Sequence, residues 1–184
     1  MLAWLLAAFL GTAAYSTPGR LQTPSPATPL TATGVARNQL TAQSTLSKRE
    51  LAVLVCAAAA ELGDSYCSLA WGRTLAEAAG ASLAAAVIGN TTCEALSERE
   101  AALATWAKAV IADPNATVPT DVDALRKAGL SDREIFEATA FVAFRSAFST
   151  VNDALGIEPD RQLVERAPSE VRAAVGFGRP AADA

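Results

Sequence analysis

Histidine is absent from this 184-residue chain. Imidazole is the usual proton shuttle near neutral pH and the commonest metal ligand. Its absence therefore excludes Ser/His and Cys/His catalytic pairs and metal sites built on histidine. The sequence predicts neither a metal centre nor a bound cofactor.

Basic residues are few and scattered. The chain has 15 Lys and Arg against 19 Asp and Glu, which gives a formal net charge of -4. Nucleic acids and anionic membrane surfaces are recognised through clusters of Lys and Arg, and this sequence has no such cluster. We expect neither nucleic acid nor a membrane as a partner.

Long hydrophobic runs are also missing, and the apolar run at residues 2–10 is too short to span a bilayer. It has the small following residues of a signal peptide, but no basic residue precedes it. Leu2, Leu5, Leu6 and Phe9 fall on one helix face, which favours a packed helix. Residues 1–46 are thus predicted to be an N-terminal helix and a Pro-rich linker.

Cysteine is scarce. Cys56, Cys67 and Cys93 are an odd number of widely spaced thiols, unlike a secreted disulfide framework or a zinc site. A Cys56–Cys67 bridge would join two helices at different heights, beyond the roughly 7 Å Cα separation that a disulfide tolerates. We expect a reducing, cytoplasmic compartment.

Aromatic residues make up only 6% of the chain, whereas alanine is abundant, and this composition favours helix over sheet. Three Ser-x-x-Glu capping boxes, which begin at Ser47, Ser97 and Ser131, predict three helix starts. The predicted fold is all-α, a bundle of about seven helices joined by short capped turns. Residues 47–160 form its main domain, and residues 161–184 form a C-terminal tail.

The stretch GDSYCSLAWG at residues 63–72 joins the most apolar predicted helix to the next one. Gly63 ends the first helix, and Asp64 or Ser65 caps the second. Cys67 lies in the first turn, where free amides and the helix dipole favour a thiolate. The Asp64 carboxylate opposes this effect. The alternative is that Cys67 is a small, buried apolar residue.

Two further carboxylates are candidate proton acceptors for Cys67. Glu50 is the partner in the first capping box, and Glu61 lies in the last turn before Gly63. Each has the alternative of an ordinary surface or capping role. The sequence spacing does not decide between the catalytic and the structural role for either glutamate.

The arrangement resembles the carboxymuconolactone decarboxylase and alkylhydroperoxidase D superfamily, in its peroxidase-related branch. The resemblance covers residues 47–160, and it rests on SKRELAVLVCAAAAELG followed by DSYCSLAWGRTLAEAAG and on the later run from LSEREAALATW to FSTVNDALG. It implies an alkylhydroperoxidase D-like helical bundle. It also implies a homo-oligomer, either a dimer, a trimer or a hexamer. The stripe of Phe141, Phe144 and Phe148 on the longest predicted helix is then core or subunit interface.

The redox motif of that family is a Glu, then Cys-x-x-Cys, then a His four residues after the second cysteine. Cys67 matches the second cysteine, which attacks peroxide in the family. Asp64 stands at the motif position of the first cysteine, and Trp71 stands at that of the histidine. Ala52 stands at the motif position of the glutamate, and Glu50 precedes that position by two residues.

Three functions stay open on these residues. The favoured one is an antioxidant oxidoreductase in which Cys67 reduces a hydroperoxide and an external thiol regenerates it, with Tyr66 and Trp71 lining the pocket. The second is a non-redox, decarboxylase-like enzyme or small-molecule binder that uses Asp64 and Trp71. The third is a catalytically silent protein that retains the fold.

Overall fold

The computed structural model describes residues 44–181 of the chain, and all regular structure in that part is helical. The helices belong to a compact unit that begins at Thr45. They are α1 (Lys48–Leu62), α2 (Ser65–Ala79), α3 (Ala81–Ile88), α4 (Glu98–Ala112), α5 (Pro119–Lys127), α6 (Asp132–Ala154), α7 (Arg161–Arg166) and α8 (Ser169–Ala174). The N-terminal helix and most of the linker predicted for residues 1–46 lie outside the described residues.

Helix α1 is the centre of the bundle. Every residue from 51 to 59 is buried, and α2, α3, α4 and α6 all pack against it. A helix that is apolar on all sides is a core helix. Because much of its surface is alanine, neighbouring helices can approach its backbone closely.

The three predicted capping boxes are confirmed. Ser47, Ser97 and Ser131 each accept a hydrogen bond from the backbone N–H three residues later, at 3.2–3.3 Å. The glutamate at that later position accepts in return from the serine N–H, at 2.7–2.9 Å. Each pair satisfies two of the helix-start amide groups that have no partner inside the helix.

The arginines of the first two boxes link one helix start to another, whereas Arg133 of the third box pairs with Glu137 of its own helix. Arg49 of the first box binds Glu100 of the second, with Nε and Nη2 at 2.5 and 3.1 Å from the two carboxylate oxygens. Arg99 of the second box binds Glu50 of the first at 2.5 Å and also binds Glu134 of the third. The same carboxylates therefore cap α1, α4 and α6 and hold their N-termini together.

The C-terminal residues continue the same unit. In the segment assigned above to a tail, α7 and α8 form, and Ala167 and Val171 are buried. A Cβ on Gly72 of α2 would come within 2.7 Å of Val171 and 2.8 Å of Ile88, so the absence of a side chain lets α8 and α3 dock there. Helices of six residues are too short to show a periodic apolar pattern, which is why the sequence did not indicate them.

The predicted phenylalanine stripe is divided between core and surface. Phe148 is buried and Phe141 packs against the core, whereas Phe144 is 45% exposed.

Within the described part of the chain, no helix combines the length and the apolar character that crossing a bilayer requires.

We expect Arg99→Ala to lower the free energy of unfolding by about 2 kcal/mol, because Glu50 and Glu134 would lose their shared cation while still partly buried. Urea denaturation followed by circular dichroism measures this change. Arg73→Ala is the matched control, since Arg73 pairs with Glu77 on an exposed helix face and its loss should cost about 0.3 kcal/mol. Equal losses in the two variants would contradict the role assigned to Arg99.

Candidate active site

The turn between α1 and α2 is built as the sequence indicates. Gly63 ends α1 in the left-handed conformation, with φ of 72°. Asp64 then caps α2, and its Oδ1 accepts a hydrogen bond from the Cys67 N–H at 2.9 Å. Of the two caps left open above, the structure selects Asp64.

Asp64 is buried, with 1% of its surface exposed, and its second oxygen reaches another helix. Oδ2 accepts a hydrogen bond from Ser149 Oγ of α6 at 2.5 Å. A short hydrogen bond to a carboxylate is stronger than one between neutral groups. Asp64 thus joins the start of α2 to α6. Sequence reasoning missed Ser149, which is 85 residues away and carries no local signal.

Cys67 is also buried, with 2% of its surface exposed. Burial raises the pKa of its thiol well above the usual range, and the Asp64 carboxylate raises it further, whereas the Arg145 guanidinium opposes the rise. The thiolate that a helix start favours is therefore not the resting form, and Cys67 is a protonated thiol at neutral pH. Burial likewise raises the pKa of Cys56.

Arg145 supplies the positive charge that acts on the thiols of Cys56 and Cys67. It lies on α6, with its guanidinium carbon 4.8 Å from the centroid of the Trp71 ring and 5.5 Å from that of Phe148. Both distances are within the range of cation–π attraction. Trp71, which the sequence comparison above matched to the histidine of the motif, packs against a guanidinium in this structure. Arg145 is 78 residues from Cys67 in the sequence, and no local pattern signals that its charge acts there.

Tyr66 is half-buried beside these groups. Burial raises the pKa of its phenol, and the charges of Asp160, Cys67 and Asp64 add to the rise. The Tyr66 phenol is thus within electrostatic range of Cys67 and Asp64. That Tyr66 and Trp71 line a substrate pocket stays a prediction.

Neither candidate glutamate, Glu50 or Glu61, is among the groups whose charge acts on Cys67. Glu50 is at the opposite end of α1, about 20 Å from Gly63 at 1.5 Å per residue, and its carboxylate is held by Ser47 and Arg99. Glu61 is exposed, and its charge acts on Lys108 of α4. Among the three candidate carboxylates, Asp64 is the one whose charge acts on the thiol.

Two buried side chains near this turn have polar atoms without partners among the described residues. They are Asn152, at both ends of its carboxamide, and Ser68, at its hydroxyl. Asn152 follows Ser149 by three residues on α6, so the two side chains start about 5–6 Å apart. An unpaired buried polar group costs about 1–3 kcal/mol. The site thus has hydrogen-bonding capacity beyond the Asp64–Ser149 pair.

Within residues 44–181, no group of three Cys, Asp or Glu side chains is arranged to hold a metal ion.

Two solved structures share the arrangement of these helices. One is an uncharacterized peroxidase-related protein from Silicibacter sp. TM1040, with a TM-score of 0.66 and 20% sequence identity over 73% of this chain and 72% of that chain. The other is an alkylhydroperoxidase AhpD core, an uncharacterized peroxidase-related protein from Ralstonia eutropha JMP134, with a TM-score of 0.65 and 24% identity over the same shares. The chain has the AhpD-like fold.

The fold predicted from the resemblance is therefore confirmed, as an all-helical AhpD-like bundle. No family model matches the sequence, and no curated protein matches it. At the turn described above, this AhpD-like chain keeps one thiol, Cys67. A carboxylate, Asp64, and an arginine-bound indole, Trp71, occupy the positions assigned above to the first cysteine and the histidine.

We expect Cys67 to react with iodoacetamide more slowly than the partly exposed Cys93 at pH 7.5, because its pKa is raised and its side chain is buried. The rate should increase about tenfold per pH unit up to pH 9, since only the thiolate reacts. Peptide mass spectrometry of timed samples measures the rate at each cysteine.

Asp64→Asn should make this labelling of Cys67 faster, because it removes a negative charge that disfavours the thiolate while an amide oxygen can still cap α2. Asp153→Asn is the control, since Asp153 lies near Asp64 but its charge is not among those that act on Cys67. Slower labelling in Asp64→Asn would show that the carboxylate activates the thiol in the resting protein.

Proposed function

We propose that the protein is an alkylhydroperoxidase-like antioxidant enzyme that reduces hydroperoxides through Cys67. The observation that carries this proposal is the contact of the Cys67 turn with the Asp64 carboxylate, at the start of α2 in an AhpD-like fold. The two similar structures are described as peroxidase-related, and one of them as an alkylhydroperoxidase core.

In the first step, the Cys67 sulfur attacks the terminal oxygen of the hydroperoxide. Asp64 accepts the thiol proton, the O–O bond breaks, and the sulfur loses two electrons to the departing oxygen. The proton then passes from Asp64 to that oxygen, so that an alcohol leaves and Cys67 becomes a sulfenic acid. Ser149 holds the Asp64 carboxylate in position, because it donates to Oδ2. Arg145 stabilises the negative charge that develops on sulfur.

Regeneration uses an external thiol. One thiol condenses with the sulfenic acid to give a mixed disulfide and water, and a second thiol releases Cys67 as the free thiol. Cys56, Cys67 and Cys93 are all free in the structure. Because the sequence resemblance puts Asp64 at the position of the first cysteine of the motif, the proposed cycle uses no second thiol of this chain. A reducing cytoplasm would supply the external thiol.

Substrate must reach a nearly enclosed sulfur. Tyr66 and Trp71 are only partly buried, and we place the entry route between them. Because Cys67 is only 2% exposed, this proposal favours hydrogen peroxide and compact organic hydroperoxides over bulky ones.

Cys67→Ser should abolish both hydroperoxide consumption and sulfenic-acid trapping with an external thiol present. Cys56→Ser is the matched control, because Cys56 is equally buried, and it should keep the activity.

Asp64→Asn should slow Cys67 oxidation about 100-fold, since proton transfer to the leaving oxygen is lost. Intact-mass analysis after graded peroxide doses measures the oxidation. Full activity in Cys67→Ser would overturn the proposal.

A second candidate function is a non-redox enzyme or small-molecule binder at the same pocket. The burial of Cys67 and its raised pKa favour it, because both lower the reactivity of the thiol. In this case Asp64 acts as a base or polar anchor beside Trp71. Asp64→Ala would then abolish a ligand-dependent activity that Cys67→Ser leaves intact.

We also propose that copies of the chain associate through α6. This helix exposes Phe136 at 73% and Phe144 at 45% of their surface, and Leu155 follows its end at 48%. Exposed aromatic residues along one helix are typical of a protein interface.

Light scattering coupled to size-exclusion chromatography should show a dimer, trimer or hexamer for the native chain. Phe136→Glu should shift it toward the monomer, whereas Glu98→Gln on the exposed start of α4 should not. A monomeric native chain at about 100 μM would contradict the interface.

A further inference from the structure

The segment after α8 is docked across the turn that carries Asp64. Arg179 accepts a hydrogen bond from Ser65 Oγ through its carbonyl oxygen at 2.8 Å, and its Nη2 donates to the Asp153 carbonyl oxygen at 3.0 Å. A Cβ on Gly178 would lie 2.5 Å from the Gly63 oxygen and 2.8 Å from the Ser65 nitrogen. The glycine is therefore required for this close approach of two backbones.

An open pocket of about 330 Å³ lies between this segment and the rest of the bundle. Much of its wall is apolar, with Leu69 from α2, Pro159, Val164 from α7, and Val175 and Phe177 from the segment itself. The volume is at the lower end of the range for small-molecule sites. The wall can therefore cover the hydrocarbon part of a small ligand.

The same pocket is lined by two arginines, Arg172 and Arg179. The hydrogen bonds of their guanidinium groups go to backbone carbonyls, from Arg172 to Ala167 and from Arg179 to Asp153. A guanidinium has five N–H donors, so most of them are left for a ligand. Among the described residues, no carboxylate forms an ion pair with either arginine.

Two carboxylates act on these arginines at longer range. Burial raises the pKa of Asp153, Asp64 adds to the rise, and the Arg179 charge opposes it. The backbone amide of Glu170 and the Ser169 hydroxyl lower the pKa of Glu170, and the Arg172 charge adds to this lowering. Neither carboxylate satisfies the guanidinium donors, so both cations can still bind an anion.

We propose that this pocket binds a small carboxylate with an apolar tail. The guanidinium fork matches the two oxygens of a carboxylate, and the apolar wall removes the tail from water. A neutral molecule would lack the ion pair, and a cation would be repelled by both arginines. Ser65, from the turn that carries Asp64, lines the pocket, whereas Cys67 does not. The inference uses no redox step at Cys67, so it does not depend on peroxide reduction.

Isothermal titration of the full-length protein with octanoate tests the proposal, with octanol and octylamine as probes of equal chain length. Octanoate should bind saturably, and octanol and octylamine should bind at least about tenfold more weakly. The single variants Arg172→Gln and Arg179→Gln should each weaken octanoate binding by about tenfold, which corresponds to the loss of one charge-assisted hydrogen bond.

Arg166→Gln is the control, because Arg166 lies at the end of α7 and does not line the pocket. This variant should bind octanoate with the same affinity as the native chain. Circular dichroism confirms that each variant is folded. If Arg179→Gln unfolds, Arg172→Gln decides alone, since Arg172 is exposed. Absence of saturable octanoate binding, equal affinity for octanol, or undiminished binding in Arg172→Gln would overturn the proposal. None of these results involves Cys67 oxidation, so the two proposals fail independently.

Discussion

The buried carboxylate of Asp64 is the interaction on which the geometry of the site depends. A charge taken out of water is costly unless hydrogen bonds replace its hydration. Here one oxygen accepts from the Cys67 amide and the other from the Ser149 hydroxyl. The first bond caps the start of α2, and the second ties that start to α6. The position of the Cys67 thiol follows from both.

The state of that thiol results from opposing electrostatic effects. A helix start and the nearby Arg145 guanidinium favour the thiolate, whereas burial and the Asp64 carboxylate favour the neutral thiol. Burial is the largest of these effects, so the resting thiol is protonated. In the peroxide reaction proposed above, Asp64 accepts the proton that this thiol loses. In that proposal, the carboxylate that disfavours the resting thiolate also serves as the proton acceptor.

The two ends of α1 have different roles. At its start, the capping glutamates of α1, α4 and α6 bind two arginines, one from α1 and one from α4, and these pairs hold the three helix starts together. At its end, the turn at Gly63 carries the site and is covered by the segment around Gly178. About 20 Å of buried helix separates the stabilising charges from the reactive ones. This distance keeps the Arg99 guanidinium away from Cys67. The cation that acts on the Cys67 thiol is instead Arg145 of α6.

The sequence by itself determined the features that depend on neighbours three or four residues apart. These include the helical class, the three capped helix starts, the end of α1 at Gly63 and the placement of Cys67 in a first helical turn, because caps and turns are made by nearby residues. Tertiary structure alone decided which distant groups meet. It brought Ser149 and Arg145 to the site, kept Glu50 at the far end of α1, and buried Cys67. Such contacts depend on how helices pack, and a single sequence carries no local signal for a partner 85 residues away.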